Sequence, residues 1–331
     1  MTPTRAAVAS NADVARVVAE ALGRGNAVDA VVAGVFAAAA LDASVLLGPV
    51  QILIGGAGAG ARAIDGRALQ PGRGLTRPRG FRLEDPVPPA AWIATPVLPA
   101  ALVAALPLAG GGSLARALGP AMEISKRVSP ERRSVFSRIA DRGAQAMCER
   151  PIAEELVAAA GRSVGGLLTE ADLEQASPVA AACEAGEGEL LVPPWRTLDT
   201  VDASHVEVAV AADARGLVCV ACYEAGRDGL PIAPLGLVAP LLATPVRRGE
   251  TRERPGTRRP AAAPIALRMR NGMVDAALAV ASSQTNAVVA AASRLDAPAI
   301  GGGLSDVGDD ARIFAVLRSV DGARGIRIAR K

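Results

Sequence analysis

From Ala27 to Leu41 the chain reads AVDAVVAGVFAAAAL, with one charge, Asp29, and no polar face. A helix that is apolar nearly all the way round has to lie inside a protein, covered on every side. Asn26, directly before it, is a natural helix N-cap, and Asp29 sits where the positive end of the helix dipole favours a carboxylate. An amphipathic helix precedes it, starting at Asn11, with Val14, Val17, Val18 and Leu22 on one face and Gly23 and Gly25 as its stop. Wrapping a buried helix needs a large apolar supply. Half of the 331 residues are apolar, mostly Ala, Val and Leu, which suits one large domain or two small ones.

After the buried helix, Val50–Ile54 reads as a strand, followed by the glycine-rich run Gly55–Gly60, a second strand at Ala61–Ile64 and the turn Asp65-Gly66-Arg67. A glycine run after a strand imitates a dinucleotide fingerprint. That fingerprint, however, must open a helix whose amides meet the pyrophosphate, and here another strand follows, so a hairpin is expected. Residues 72–111, rich in Pro, Gly and Arg, read as a long wrapping loop. Helical patterns follow at Ser113–Lys126, Ser134–Met147 and Ile152–Ala160, and Thr169 caps a short helix. Strand patterns occupy Glu189–Val192, His205–Ala212, Leu217–Tyr223 and Ile265–Arg270. A helix-like run from Thr285 to Arg294 leads into a final α/β stretch. Helices first and strands later, with hairpins and no internal repeats, predict an α+β fold.

Composition narrows the function classes. Net charge is +3, from 36 basic and 33 acidic residues, and aromatics are 2%, so neither a basic footprint nor stacking platforms point to nucleic acid. The arginine-dense run Arg247–Arg259 reads as a polyanion-binding loop or, more simply, a solvated one diluted by Glu250 and Glu253. Cys219 and Cys222 form a CxxC inside an apolar strand, whereas a redox pair belongs at a helix N-terminus. With one histidine in the chain, no metal site is expected, and all four cysteines read as reduced thiols. The N-terminus lacks an apolar signal core. The uncharged stretches Ala43–Ala61, Val87–Ala115 and Gly229–Val246 are broken by Pro or Gly, so a cytoplasmic protein without membrane partners is expected.

Six segments, in order, resemble motifs of the γ-glutamyltransferases. Gly25-Asn26-Ala27-Val28-Asp29-Ala30 is similar to the family's GGNAVDAAVA helix, and Asp65-Gly66-Arg67 to its acidic–Arg turn. Ala94–Pro99 resembles its GVPG turn and Leu118–Ile124 its PAI-L helix. Arg150–Ala153 with Gly165–Leu173 resembles the GPIA…GGLLTLEDL pair, and Pro255–Pro260 resembles PGKRP. The resemblance implies an αββα four-layer sandwich of the N-terminal-nucleophile hydrolase type, with residues 1–198 as a large-subunit-like half, 199–331 as a small-subunit-like half, and both in one domain. In that family a Thr cleaves the chain before itself and then uses its own freed amine as base, because a hydroxyl is a weak nucleophile without one. No cofactor is implied.

The resemblance weakens at the catalytic positions. Ala203-Ser204-His205 stands where the family has Thr-Thr-His, or, in a gap-free alignment from Asp213, Val206 takes the nucleophile position. Ala261-Ala262 replaces a Ser pair, and Ala281-Ser282-Ser283-Gln284-Thr285 replaces the oxyanion glycines. Ala239–Thr244 replaces an acidic segment. Trp195 lies eight residues before Ala203, so the family's long stretch ahead of the cleavage point is missing. Arg67 is the matched ligand residue, for a γ-glutamyl α-carboxylate, and its alternative role is a structural bond to Asp65. Two readings compete: a silent protein that binds a small acidic ligand or γ-glutamyl compound, or pairs with an active homologue or with itself; and an enzyme that cleaves before Ser204 and uses it as nucleophile. A third, unrelated chemistry would use Glu207 or Asp202.

Overall fold

The structure, a computed structural model, describes residues 4–58, 60–78, 80–187, 189–195, 204–281, 287–295, 312–319 and 322–329. Two six-stranded antiparallel sheets lie face to face. The first has the order β1 (Ala6–Ala9), β7 (Val206–Ala212), β8 (Leu217–Glu224), β2 (Val50–Gly56), β3 (Arg62–Gly66), β4 (Val179–Ala182). The second runs β14 (Gly322–Ala329), β13 (Arg312–Ser319), β12 (Met273–Ala281), β11 (Ile265–Arg270), β6 (Leu190–Val192), β5 (Glu184–Ala185). A small hairpin, β9 (Gly229–Ile232) with β10 (Leu237–Pro240), stands apart. The first sheet joins the N-terminal strand to the middle of the chain, and the second is built from residues 184–329.

Alternation along the strands decides the layers. Leu53, Val208 and Val220 of the first sheet meet Leu267, Phe314 and Val316 of the second in one buried cluster. The opposite face of the first sheet is covered by α1 (Ala12–Arg24), α2 (Ala27–Leu41), α3 (Leu98–Ala109), α4 (Leu114–Val128), α5 (Pro130–Arg142), α6 (Ile152–Ala160) and α7 (Glu170–Glu174). On the outer face of the second sheet, α8 (Ala287–Arg294) packs Ala287, Val288 and Ala291 against Ala266, Leu278 and Ala315. The result is the expected αββα sandwich. No described helix is long and apolar enough to cross a membrane.

Helix α2 is buried at fourteen of its fifteen residues, as its sequence requires. Both ends are satisfied in place. Asn26 and Asp29 form a capping box, and Asp29 also accepts the amides of Gly111 and Gly112, with Oδ1 2.9 Å from the latter. At the C-terminal end, buried Arg132 of α5 donates to the Ala40 carbonyl at 2.7 Å and to the Gly236 carbonyl at 2.9 Å. Phe36 meets Phe136 edge-on, with ring centroids 6.3 Å apart, an arrangement aromatic pairs prefer.

The sequence reading misses several short strands and β12, and it departs from the fold in three further places. Residues 72–111 hold a helix, α3, where a loop was expected; Pro99 fits the first turn, which has no use for its missing N–H, and Pro107 falls in the last turn. The end of the chain forms the β13–β14 hairpin, with no helix among the described residues after α8. The arginine run is not a free loop: Arg247, Arg248 and Arg252 donate to carbonyls of residues 72–83, at 2.8 Å for Arg247 to Arg82 and for Arg252 to Gly72. These guanidiniums stitch one loop to another, because loop carbonyls need donors as much as strand carbonyls do.

Replacing Arg132 by Met leaves the last α2 carbonyls without their donor inside the protein. We expect a loss of about 2–4 kcal/mol in urea unfolding. Unchanged stability would show that the α2 terminus finds other partners.

Candidate functional site

The head of β7 opens between the two sheets, and the sequence-predicted positions gather there in part. Val206 is the first inward residue of β7 and is 1% exposed in the inter-sheet cluster. Ser204 lies exposed in the turn before it, and His205 directs Nδ1 to the Ala225 carbonyl at 3.2 Å. Ala203, Asp202 and residues 282–286 lie outside the described residues. Glu207 carries a partner: Arg312 Nη1 stands 3.1 Å from its carboxylate, while Arg312 Nη2 donates to the Val206 carbonyl at 2.7 Å.

Register builds the floor of this mouth. Asp65 pairs with Gln51, Gln51 with Cys222 and Cys222 with Val208, so one row of side chains crosses four strands on the inter-sheet face. Gln51, 1% exposed, is the polar residue of an otherwise apolar strand. Its amide accepts from Trp195 Nε1 at 2.8 Å and donates to the Ala262 carbonyl at 3.1 Å. The Cys222 thiol points to that same carbonyl at 3.7 Å. What remains between Gln51, Val206, Cys222, Glu224 and Ala262 is a crevice of about 160 Å³, counting space open to solvent.

The groups facing the crevice are poorly placed for nucleophilic work. Burial pushes the Cys222 thiol up to about 12, with the nearby Glu224 charge acting the same way, so it stays protonated at neutral pH. Burial also raises the Tyr223 hydroxyl, assisted by Glu207. Glu224 is 4% exposed and held by Arg227. Cys219 and Cys222 lie on opposite faces of β8, one toward the helices and one toward the second sheet, so this CxxC cannot close into a disulfide. Among the described residues no group of three His, Cys, Asp or Glu side chains could hold a metal ion.

Arg67 sits at the same end of the first sheet, toward its other edge. Three inter-strand spacings separate its row from Val206, roughly 14 Å. Its Nε and Nη2 grip Asp65 at 3.0 and 2.9 Å, and Arg258 Nε approaches the same carboxylate at 3.2 Å. Arg258 also donates to the Arg67 carbonyl at 2.9 Å and the Ser177 carbonyl at 2.8 Å. Two guanidiniums thus share one buried carboxylate. Burial lowers the Arg258 pKa, Asp65 counteracts it, and Arg67 adds to the lowering. Gln51, Trp195 and Arg258 escaped the sequence reading as site residues; the lone Gln in an apolar strand was the visible signal.

The thiols give a direct check on the mouth. At pH 8 a thiol with a pKa near 12 is thiolate in on the order of one molecule in 10⁴. We expect iodoacetamide to modify half-buried Cys148 first, and Cys219 and Cys222 only after unfolding, as followed by peptide mass spectrometry. Labelling of Cys222 in the folded protein at the rate of Cys148 would mean an open, ionised site.

No protein-family model matches the chain, and no curated protein matches it by sequence. Solved structures do match. Cephalosporin acylase from Bacillus halodurans aligns over 100% of this chain and 96% of its own, with a TM-score of 0.76 and 14% identity. LmbA2991HD aligns over 100% of this chain and 99% of its own, with a TM-score of 0.71 and 15% identity. A γ-glutamyltranspeptidase from Pseudomonas nitroreducens, complexed with L-DON, aligns over 58% of this chain and 71% of its own, with a TM-score of 0.47 and 20% identity. At such identities a likeness speaks for architecture and leaves chemistry to the residues. The chain has the αββα fold of the N-terminal-nucleophile hydrolases, the architecture its γ-glutamyltransferase-like motifs implied.

Proposed function

We propose that this chain is a γ-glutamyltransferase-like protein that has lost self-processing and γ-glutamyl transfer, and that it acts by binding. The observation that carries this reading is the make-up of the mouth: Val206 occupies the inward position at the head of β7, and Gln51, locked between Trp195 and Ala262, lines the same narrow crevice. An acyl-transfer site needs a nucleophile with a base in reach and donors aimed at the developing oxyanion. Here the crevice holds a protonated thiol and the Glu224 carboxylate, already paired with Arg227, while Glu207 beside Val206 is paired with Arg312. Losing a single oxyanion donor costs on the order of 10²–10³ in rate, and losing the nucleophile costs more. In this reading Arg67 is a remnant of a carboxylate-binding pair, now engaged with Asp65, and the two halves of the chain stay covalently joined as one unit. The partner is a small acidic or γ-glutamyl compound, an active homologue or a second copy.

A second reading keeps some chemistry. Ser204 lies exposed in the turn at the head of β7, where a freed amino-terminal Ser would have access to a substrate.

The test is turnover of a chromogenic γ-glutamyl anilide by the purified chain. We expect no release above the Ser204→Ala variant. Release by the native chain that the variant abolishes would overturn the first reading in favour of the second.

A further inference from the structure

Away from the mouth, the end of α1, the start of α2 and the first half of α4 converge on a pocket of about 340 Å³, counting space open to solvent. Its apolar floor is Ala33 and Ala117, 1% and 5% exposed, with Ala21 beside them. Asp29 reaches the same pocket, but its carboxylate is consumed by the amides of Asn26, Gly111 and Gly112. It is therefore not available to pair with a cation at the rim.

Two cations stand at that rim. Arg24, in the last turn of α1, and Arg116, in the first turn of α4, both line the pocket and are exposed. Among the described residues neither guanidinium has a hydrogen-bond or ion-pair partner. This sets them apart from Arg132, Arg252, Arg258 and Arg268, which are all engaged with carbonyls or carboxylates. Pro120 also lines the pocket and has no N–H to give the Arg116 carbonyl one turn earlier, so that acceptor lacks its helical donor.

We propose that this pocket binds a small organic carboxylate. Its carboxylate lies between Arg24 and Arg116, and its short aliphatic body rests on Ala21, Ala33 and Ala117. The chemistry of the lining selects this class. Guanidiniums recognise carboxylates through paired N–H donors. The alanine floor gives a short aliphatic chain an apolar surface to lie against. A bare inorganic anion would meet the two guanidiniums but gain nothing from the apolar floor. The proposal goes beyond the reading of the mouth and stands whether or not the mouth is silent.

The experiment titrates the full chain with butyrate by ligand-observed NMR, with inorganic phosphate as the comparison. We expect saturable butyrate binding that weakens about tenfold in Arg24→Gln and again in Arg116→Gln, the loss of one charge-assisted hydrogen bond each. Arg16→Gln, on α1 but outside the pocket, should leave the affinity unchanged. All three positions are exposed, so the variants keep the fold. Absence of saturable binding, native affinity retained in Arg24→Gln and Arg116→Gln, or binding of phosphate without butyrate would each overturn the proposal.

Discussion

A helix without a polar face has to be enclosed, and the enclosure of α2 organises the helical layer. Its sides are met by α1, α4 and the outer face of β7 and β8. Its ends must then be satisfied by protein atoms, since the termini of a buried helix leave amides and carbonyls that water cannot reach. The chain does this with Asn26 and Asp29 at one end and Arg132 at the other, drawing Gly111, Gly112 and Gly236 into the same arrangement. The buried Val, Leu and Phe side chains that result each contribute about 1.5–3 kcal/mol relative to exposure.

The same economy of side chains explains the use of arginine. With aromatics at 2%, few residues can span long gaps by packing alone. Arginine spans them instead: Arg252 and Arg258 reach carbonyls 180 and 81 residues away in sequence, and Arg132 reaches one 104 residues away. A guanidinium with several donors suits this task, because it can close two loop carbonyls at once. The inter-sheet mouth shows a related substitution of roles. Polar groups there are turned upon one another, with Gln51 bonded to Trp195 and Ala262, and Asp65 held by Arg67 and Arg258. Groups committed to each other lose freedom to meet a substrate.

Much of the scaffold was legible because local chemistry and burial agree. Asn11, Asn26 and Thr169 cap the helices they precede, and the glycine run closes the β2–β3 hairpin. Helix α3 was not legible. Its Pro99 and Pro107 read as breakers, yet Pro99 occupies the first turn, where its missing N–H is not needed, Pro107 takes a donor from one carbonyl only as the helix ends, and burial of Leu98, Leu102 and Leu106 holds the helix. The loop-stitching role of the arginine run was hidden for another reason: charge density announces cations but not their acceptors, which here are carbonyls more than 160 residues away. In the site, Gln51 was visible as a polar interruption of an apolar strand, but its partners lie 144 and 211 residues distant. Only the strand register places Asp65, Gln51, Cys222 and Val208 in one row.

The central claim is that the head of β7 no longer supports self-cleavage. Intact-mass spectrometry of the purified chain, with a denaturing gel, tests it most directly. The account predicts one species at 33.4 kDa, unchanged on prolonged incubation. Two fragments meeting between Ala203 and Ser204 would contradict it.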